Sequence, residues 1–187
     1  MPRYAQGMRT ASCLLFAVAL TANAGASFEL ALLFDFSGGQ ILRYDVTNHV
    51  ALGSFGKGLL GNYVTGYGGL SLDPSRPTDV AILNGDGSVY WLNYSTGVRT
   101  KGVTLAAPVM YGPISFDILP NGNLAVAAVY SDVSESQVRI FSGTDGGYLQ
   151  TLVAFSGHTI LDTASDSRGK IHTLSSWYSA PNYQCRV

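Results

Sequence analysis

The sequence is poor in charge, in cysteine and in long apolar runs. Only 12% of the 187 residues are charged and the formal net charge is -1. No basic surface is available to attract a nucleic-acid backbone, so nucleic-acid partners are excluded on charge. Two cysteines, Cys13 and Cys185, cannot build a disulfide framework. The longest N-terminal apolar run, Ser12–Leu20, is too short to span a bilayer as a helix. The chemistry-bearing motifs are missing as well. There is no G-x-S-x-G nucleophile elbow, no H-E-x-x-H pair, and no glycine-rich loop between a strand and a helix to cradle phosphate.

What is present is apolar content of 47% and 22 glycines, most of them between apolar runs. That distribution predicts an all-β chain of short strands joined by tight turns. The N-terminus reads differently. Arg3 and Arg9 precede Ser12–Leu20, and Ala22-Asn23-Ala24 supplies a small-residue cleavage site, with Ala24-Gly25-Ala26 as an alternative. Residues 1–24 are therefore expected to be a signal peptide with a helical apolar segment. The protein is expected to act as a secreted, cell-surface or periplasmic one. Cleavage removes Cys13 and leaves Cys185, expected to be an incidental residue on a frayed terminus.

The remaining chain is periodic. Gln40–Phe55 (QILRYDVTNHVALGSF) reads as strand, turn, strand, and versions of it recur at Ser88–Leu105 and Gln137–Phe155. Ile41, Val89 and Val138 begin equivalent strands, 48 and 49 residues apart. Asp73, Asp117 and Asp166 are expected to end equivalent first strands, 44 and 49 residues apart. Four short strands per period of this length are the mark of a β-propeller blade. Residues 25–187 then make a partial propeller of about three and a half four-stranded antiparallel blades, near 28–56, 67–105, 111–155 and 160–187. Fewer blades than a ring needs point to a piece of a longer protein.

The unit Ile41, Arg43, Tyr44, Asp45, Leu52, Gly53 and Phe55 resembles the repeat of exported bacterial NHL-type propellers. Asp166-Ser167-Arg168-Gly169-Lys170-Ile171 is similar to that family's turn into the second strand, and Pro120-Asn121-Gly122-Asn123-Leu124 is a variant of it. Asn93 departs from the aspartate of the pattern, and Asn48-His49 stands where Thr-Gly is usual. The resemblance implies an extracellular or surface protein. Many such propellers carry a C-terminal PEP-CTERM sorting anchor; the final residues Gln184-Cys185-Arg186-Val187 do not substitute for one, which the resemblance turns into an expectation of truncation.

Four groups of residues are candidates for function. Asn84-Gly85-Asp86-Gly87-Ser88 is rich in oxygen ligands, but only fragments of a calcium loop are present and a hairpin turn accounts for all of it. No cofactor is expected, with Ca2+ the one ion whose chemistry these residues resemble. Asp73, Asp117 and Asp166 form a candidate metal set if they ring a channel; the competing reading is an Asx turn closing each first strand. His158, His172, Asp162 and Asp166 lie near one another in sequence, whereas metal or general-base chemistry needs convergence in space.

Tyr63, Tyr67, Tyr111 and His158 flank the starts of the first strands, and they are the candidate ligand contacts. Tyrosine joins an apolar body to a polar tip suited to a glycan or a peptide; the competing reading packs each ring between blades. The expected function is an exported propeller-type binding or surface scaffold without a catalytic site. The alternatives are a propeller enzyme of lactonase, lyase or quinoprotein type with a channel metal, and a non-functional truncated product.

Overall fold

The computed structural model describes residues 18–21, 29–35, 39–57, 69–84, 86–108, 110–133, 135–155, 158–179 and 182–186. They fold as four antiparallel sheets in chain order. The first contains β1 (Val18–Thr21), β2 (Glu29–Asp35), β3 (Gln40–Asp45) and β4 (Val50–Phe55). The second contains β5 (Gly69–Leu72), β6 (Asp79–Leu83), β7 (Ser88–Asn93) and β8 (Arg99–Thr104). The third contains β9 (Met110–Ile118), β10 (Leu124–Tyr130), β11 (Ser136–Phe141) and β12 (Tyr148–Phe155). The fourth has three strands: β13 (His158–Ser165), β14 (Ile171–Ser179) and β15 (Asn182–Arg186). No helix among the described residues is long and apolar enough to cross a membrane.

Each sheet is a blade whose strands pair in sequence order. Side chains alternate between the two blade faces, and in the second and third blades both faces are covered. Val80 and Ile82 of β6 pack on the first blade with Leu30, Leu32 and Ile41. Ala81 and Leu83, between them in sequence, pack on the third blade with Phe116, Ile118 and Val126. Ala125 and Ala127 of β10 face the fourth blade, where they meet Ile160 and Ile171. This explains the unbroken apolar runs: a middle strand such as β6 or β11 is buried at every position. The outer strands β4 and β8 are mostly exposed.

The turns between third and fourth strands follow one local rule. Asp45, Asn93 and Ser142 each end or follow the third strand and accept a hydrogen bond from the backbone N–H three residues on, at Asn48 (2.9 Å), Thr96 (3.0 Å) and Asp145 (3.4 Å). These are side-chain-closed turns. Asp45 is thus a turn residue, as comparison of the three repeats predicts. His49 sits at φ 56°, where the other two repeats have Gly97 (φ 73°) and Gly146 (φ 78°). Arg43, beside it, clamps two blades together. Its Nη1 donates to the carbonyls of Tyr94 (3.2 Å) and Ser95 (2.7 Å) in the second blade.

The expectation for the N-terminal run is corrected. The helix expected in the N-terminal apolar run is not what Val18–Thr21 forms: it is a strand, in register with Leu32 to Glu29 of β2. The physical reason is that β2 offers an open row of N–H and C=O groups, which a short apolar segment satisfies by pairing. Residues 1–17 and 22–28 lie outside the described residues. The first blade therefore has four strands, and the fourth has three, because β14 runs on to Ser179 and β15 pairs with it.

In the third blade, β9 begins at Met110. Gly112-Pro113 lies inside it, and the pairing with β10 shifts between Ala127 and Val129 at that point. Proline has no N–H to give the ladder, so an irregularity absorbs it.

Candidate functional site at the inner strands

The first strand of the third blade, β9, lies against the first strands of both its neighbours, β5 and β13. Hydroxyls and carboxylates meet there in a repeated arrangement. Ser71 Oγ donates to Asp117 Oδ1 (2.6 Å) and accepts from the Ile118 N–H (3.3 Å) of the next blade. Ser115 Oγ does the same one blade on, donating to Asp162 Oδ1 (2.6 Å) and accepting from the Thr163 N–H (3.0 Å). The second oxygen of Asp117 accepts from both the backbone N–H and the hydroxyl of Ser165, each at 2.5 Å. Asp117 thus ties the second, third and fourth blades together. These are charge-assisted bonds in a half-buried setting, the strong class of hydrogen bond.

The three aspartates proposed as a metal set have different surroundings. Asp73 is 5% exposed and accepts from the Trp91 indole N–H (2.8 Å), the Ser75 N–H (2.9 Å) and the Ser75 hydroxyl (2.6 Å). Asp166 accepts from the Lys170 N–H (2.9 Å) and Arg168 N–H (2.9 Å) and from the Arg168 guanidinium (3.0 Å). Asp117 is not at their repeat position. Asp73 and Asp166 directly follow a first strand, whereas Asp117 lies inside β9 opposite Ala125. The counterpart of Asp117 in the interblade bonding is Asp162.

Among the described residues no group of three or more His, Cys, Asp and Glu side chains converges on a point. In the Asn84–Ser88 segment the Asn84 N–H donates to the Ser88 carbonyl (2.8 Å), and Asp86 Oδ1 accepts from the Ser88 N–H (2.8 Å), which is hairpin bonding.

Of the candidate ligand contacts, Tyr63 and Tyr67 lie outside the described residues. Tyr111 and His158 both fall at the start of a first strand, β9 and β13. His172 is an exposed residue of β14 and pairs with Ala164.

Sequence reasoning missed the interblade bonds, although a signal for them exists. Ser71 to Asp117, Ser115 to Asp162 and Asp117 to Ser165 span 46, 47 and 48 residues, close to one repeat. It also missed Arg139, which is 7% exposed, lies 4.0 Å over the Tyr130 ring and pairs with Asp132 (2.9 Å).

The turn carboxylates make acid sensitivity calculable in sign. The Lys170 N–H and then the Arg168 side chain hold the Asp166 carboxyl below its ordinary value. The Gly147 N–H and the Ser142 hydroxyl do so for Asp145, and Asn48 does so for Asp45. Each binds its proton more weakly folded than unfolded. Their contribution is complete above the ordinary carboxylate range and is lost as pH falls through the depressed folded values. The thermal midpoint is expected to be level from about pH 7 to 5 and to fall below about pH 4. A midpoint unchanged down to about pH 3 in a calorimetric series would contradict this.

No protein-family profile matches the chain, and no curated protein matches its sequence. Solved structures do match. The chain is similar to hydrazine synthase of Kuenenia stuttgartiensis at TM-score 0.53 and 12% identity, over 81% of this chain and 53% of that one. It is similar to the WD40 β-propeller domain of Doa1 at TM-score 0.52 and 18% identity, over 83% of this chain and 46% of that one. It is similar to the WD40 domain of coronin from Toxoplasma gondii at TM-score 0.53 and 7% identity, over 84% of this chain and 41% of that one. With four-stranded blades packed face to face, these likenesses define the fold as a β-propeller. The chain spans about half the length of the solved chains it matches.

Proposed function

We propose that this chain is a propeller-type binding scaffold that acts after export, in the manner of the NHL-type repeat proteins it resembles. The observation that carries the reading is the use made of the inner carboxylates. Asp73, Asp117 and Asp166 each accept several donors from the protein itself, so their lone pairs are engaged in holding strands and turns. Chemistry at an inner-strand carboxylate would have to displace those bonds. Recognition is then assigned to the residues that the sequence singles out near the starts of the first strands, Tyr63, Tyr67, Tyr111 and His158, with a glycan or a peptide as the ligand. Export is inferred from Arg3, Arg9, the run Ser12–Leu20 and the Ala22-Asn23-Ala24 site, and cleavage there would release β1 and leave β2 to β4 as the first blade of the exported chain.

A glycan and peptide array probed with the intact chain tests this. Binding is expected, reduced roughly tenfold by Tyr111→Ala, the loss of about one good aromatic contact. Asn121→Ala, in the exposed turn that follows the opposite end of β9, should leave binding unchanged. Turnover of a lactone or polysaccharide substrate without retained binding would overturn the reading.

A further inference from the structure

The third blade carries a polar cluster that the interblade bonding does not use. Arg139 and Gln137 of β11 stand opposite Val126 and Ala128, on the side of the blade that packs on the second blade. The Arg139 side chain is only 8% exposed. Its Nε donates to Gln137 Oε1 (2.9 Å), and its Nη2 donates to both oxygens of Asp132 (2.9 and 3.0 Å). Its Cζ lies 4.0 Å from the centre of the Tyr130 ring and 5.9 Å from that of Tyr148. The Tyr130 hydroxyl donates to the Val126 carbonyl (3.0 Å), which fixes the ring beneath the guanidinium.

One nitrogen of this buried guanidinium is left over. Arg139 Nη1 makes no hydrogen bond among the described residues, and neither does the Gln137 amide nitrogen, although Gln137 is buried. Arg43 Nε is the side-chain group among the described residues that is both sealed from solvent and unpaired, so these two nitrogens reach solvent. The groups around them are open to it as well. Tyr148 is 50% exposed, the Asp132 side chain is 48% exposed, and Thr151, the cross-strand partner of Arg139, is exposed. Phe141 meets the Tyr148 ring edge-on (centroids 6.0 Å apart), and the Tyr148 hydroxyl lies 3.1 Å from Thr151 Oγ1. Donors, an acceptor and an aromatic face are therefore held in place before a ligand arrives, which lowers the ordering cost of binding.

The charges select the ligand. Asp132 takes two bonds from Arg139 and cancels its charge, so an anion meets no net attraction. A carboxylate has about four acceptor positions, and about two of them remain. Vicinal hydroxyls match this set. One donates to Asp132, the other accepts from Arg139 Nη1, and the apolar face of the ring that bears them rests on Tyr148. We propose that Arg139, Asp132, Gln137 and Tyr148 form a binding site for an uncharged sugar ring. None of these residues is among those near the starts of the first strands, so either site can fail without the other.

Saturation-transfer NMR tests this on the intact chain with methyl α-glucoside, methyl α-mannoside, methyl β-galactoside and glucuronate, each up to about 50 mM to cover millimolar affinity. At least one neutral glycoside should bind saturably, with Kd on the order of 1–10 mM. Tyr148→Ala should weaken that binding roughly tenfold, and Tyr148→Phe, which keeps the ring, by at most about threefold. Asp132→Asn should also weaken it roughly tenfold. If Asp132→Asn loosens the fold, the comparison of the two Tyr148 variants still decides. Val50→Ala, at a site 49% exposed on the first blade, should bind like the parent. Binding of none of the neutral glycosides overturns the proposal. So does binding that survives Tyr148→Ala, and so does binding confined to glucuronate, which would mark an anion site.

Discussion

Asp117→Ala is expected to lower the thermal midpoint by roughly 5–15 °C, through the loss of about 2–4 kcal/mol. The carboxylate takes three hydrogen bonds from two other blades: one from the Ser71 hydroxyl and two from Ser165. Alanine leaves those donors facing a half-buried strand with no acceptor, and unmet donors cost more than the bond itself contributes. Asp117→Asn keeps one acceptor oxygen and should lose less. Ser71→Ala and Asp117→Ala combined should be less than additive, because both remove the same bond.

The variant also separates the scaffold reading from that of a metal-dependent enzyme. If Asp117 held calcium, millimolar calcium would raise the midpoint of the unaltered protein and lose that effect in Asp117→Ala. The scaffold reading expects the same loss of stability in calcium and in chelator. Calcium-dependent stabilisation that vanishes with Asp117 would sink it.

Trp91→Ala is expected to have the larger effect, about 3–5 kcal/mol from packing alone. Trp91 is fully buried in the core between the second and third blades. Its indole N–H donates to Asp73, itself 5% exposed, and Lys101 Nζ lies 4.3 Å from the ring. Removing the ring leaves a cavity and takes one donor from a buried carboxylate. For a domain whose whole stability is about 5–15 kcal/mol, much of the population should unfold near physiological temperature.

Trp91→Phe separates the two contributions: it keeps most of the volume and deletes the N–H, with an expected cost of about 1–3 kcal/mol. Denaturant melts of both variants check this. A phenylalanine variant as stable as the parent would show that the bond to Asp73 contributes nothing net. A burst of dye binding to exposed apolar surface in the alanine variant alone would support the cavity account.

Much of the fold was legible residue by residue. Turn chemistry at Asp45, Asn93 and Ser142 is local, so the repeat could be read from neighbours three positions apart, and the role of Asp45 followed from comparing copies. The run Ala125 to Val129 is apolar at every position, and that announced a strand covered on both faces. Asp117 was misassigned for an equally physical reason. The turn joining first to second strand runs from Asp73 to Asp79 in one blade and from Leu119 to Asn123 in the next. Aspartates spaced close to one repeat therefore do not share a structural position. An irregularity between Ile160 and Asp162 moves the fourth blade's register once more. Proline usually stands outside a ladder, whereas β9 carries Pro113 at an irregular pairing.

The sequence by itself determined the strands, the turns and their period, because these depend on backbone preference and on side chains a few residues apart. Only the tertiary structure decided which hydroxyl meets which carboxylate across 46 to 48 residues, and that Val18–Thr21 pairs with β2. Those outcomes turn on register and on the spacing between sheets. A single inserted residue in a turn or strand resets both, and local composition does not reveal it.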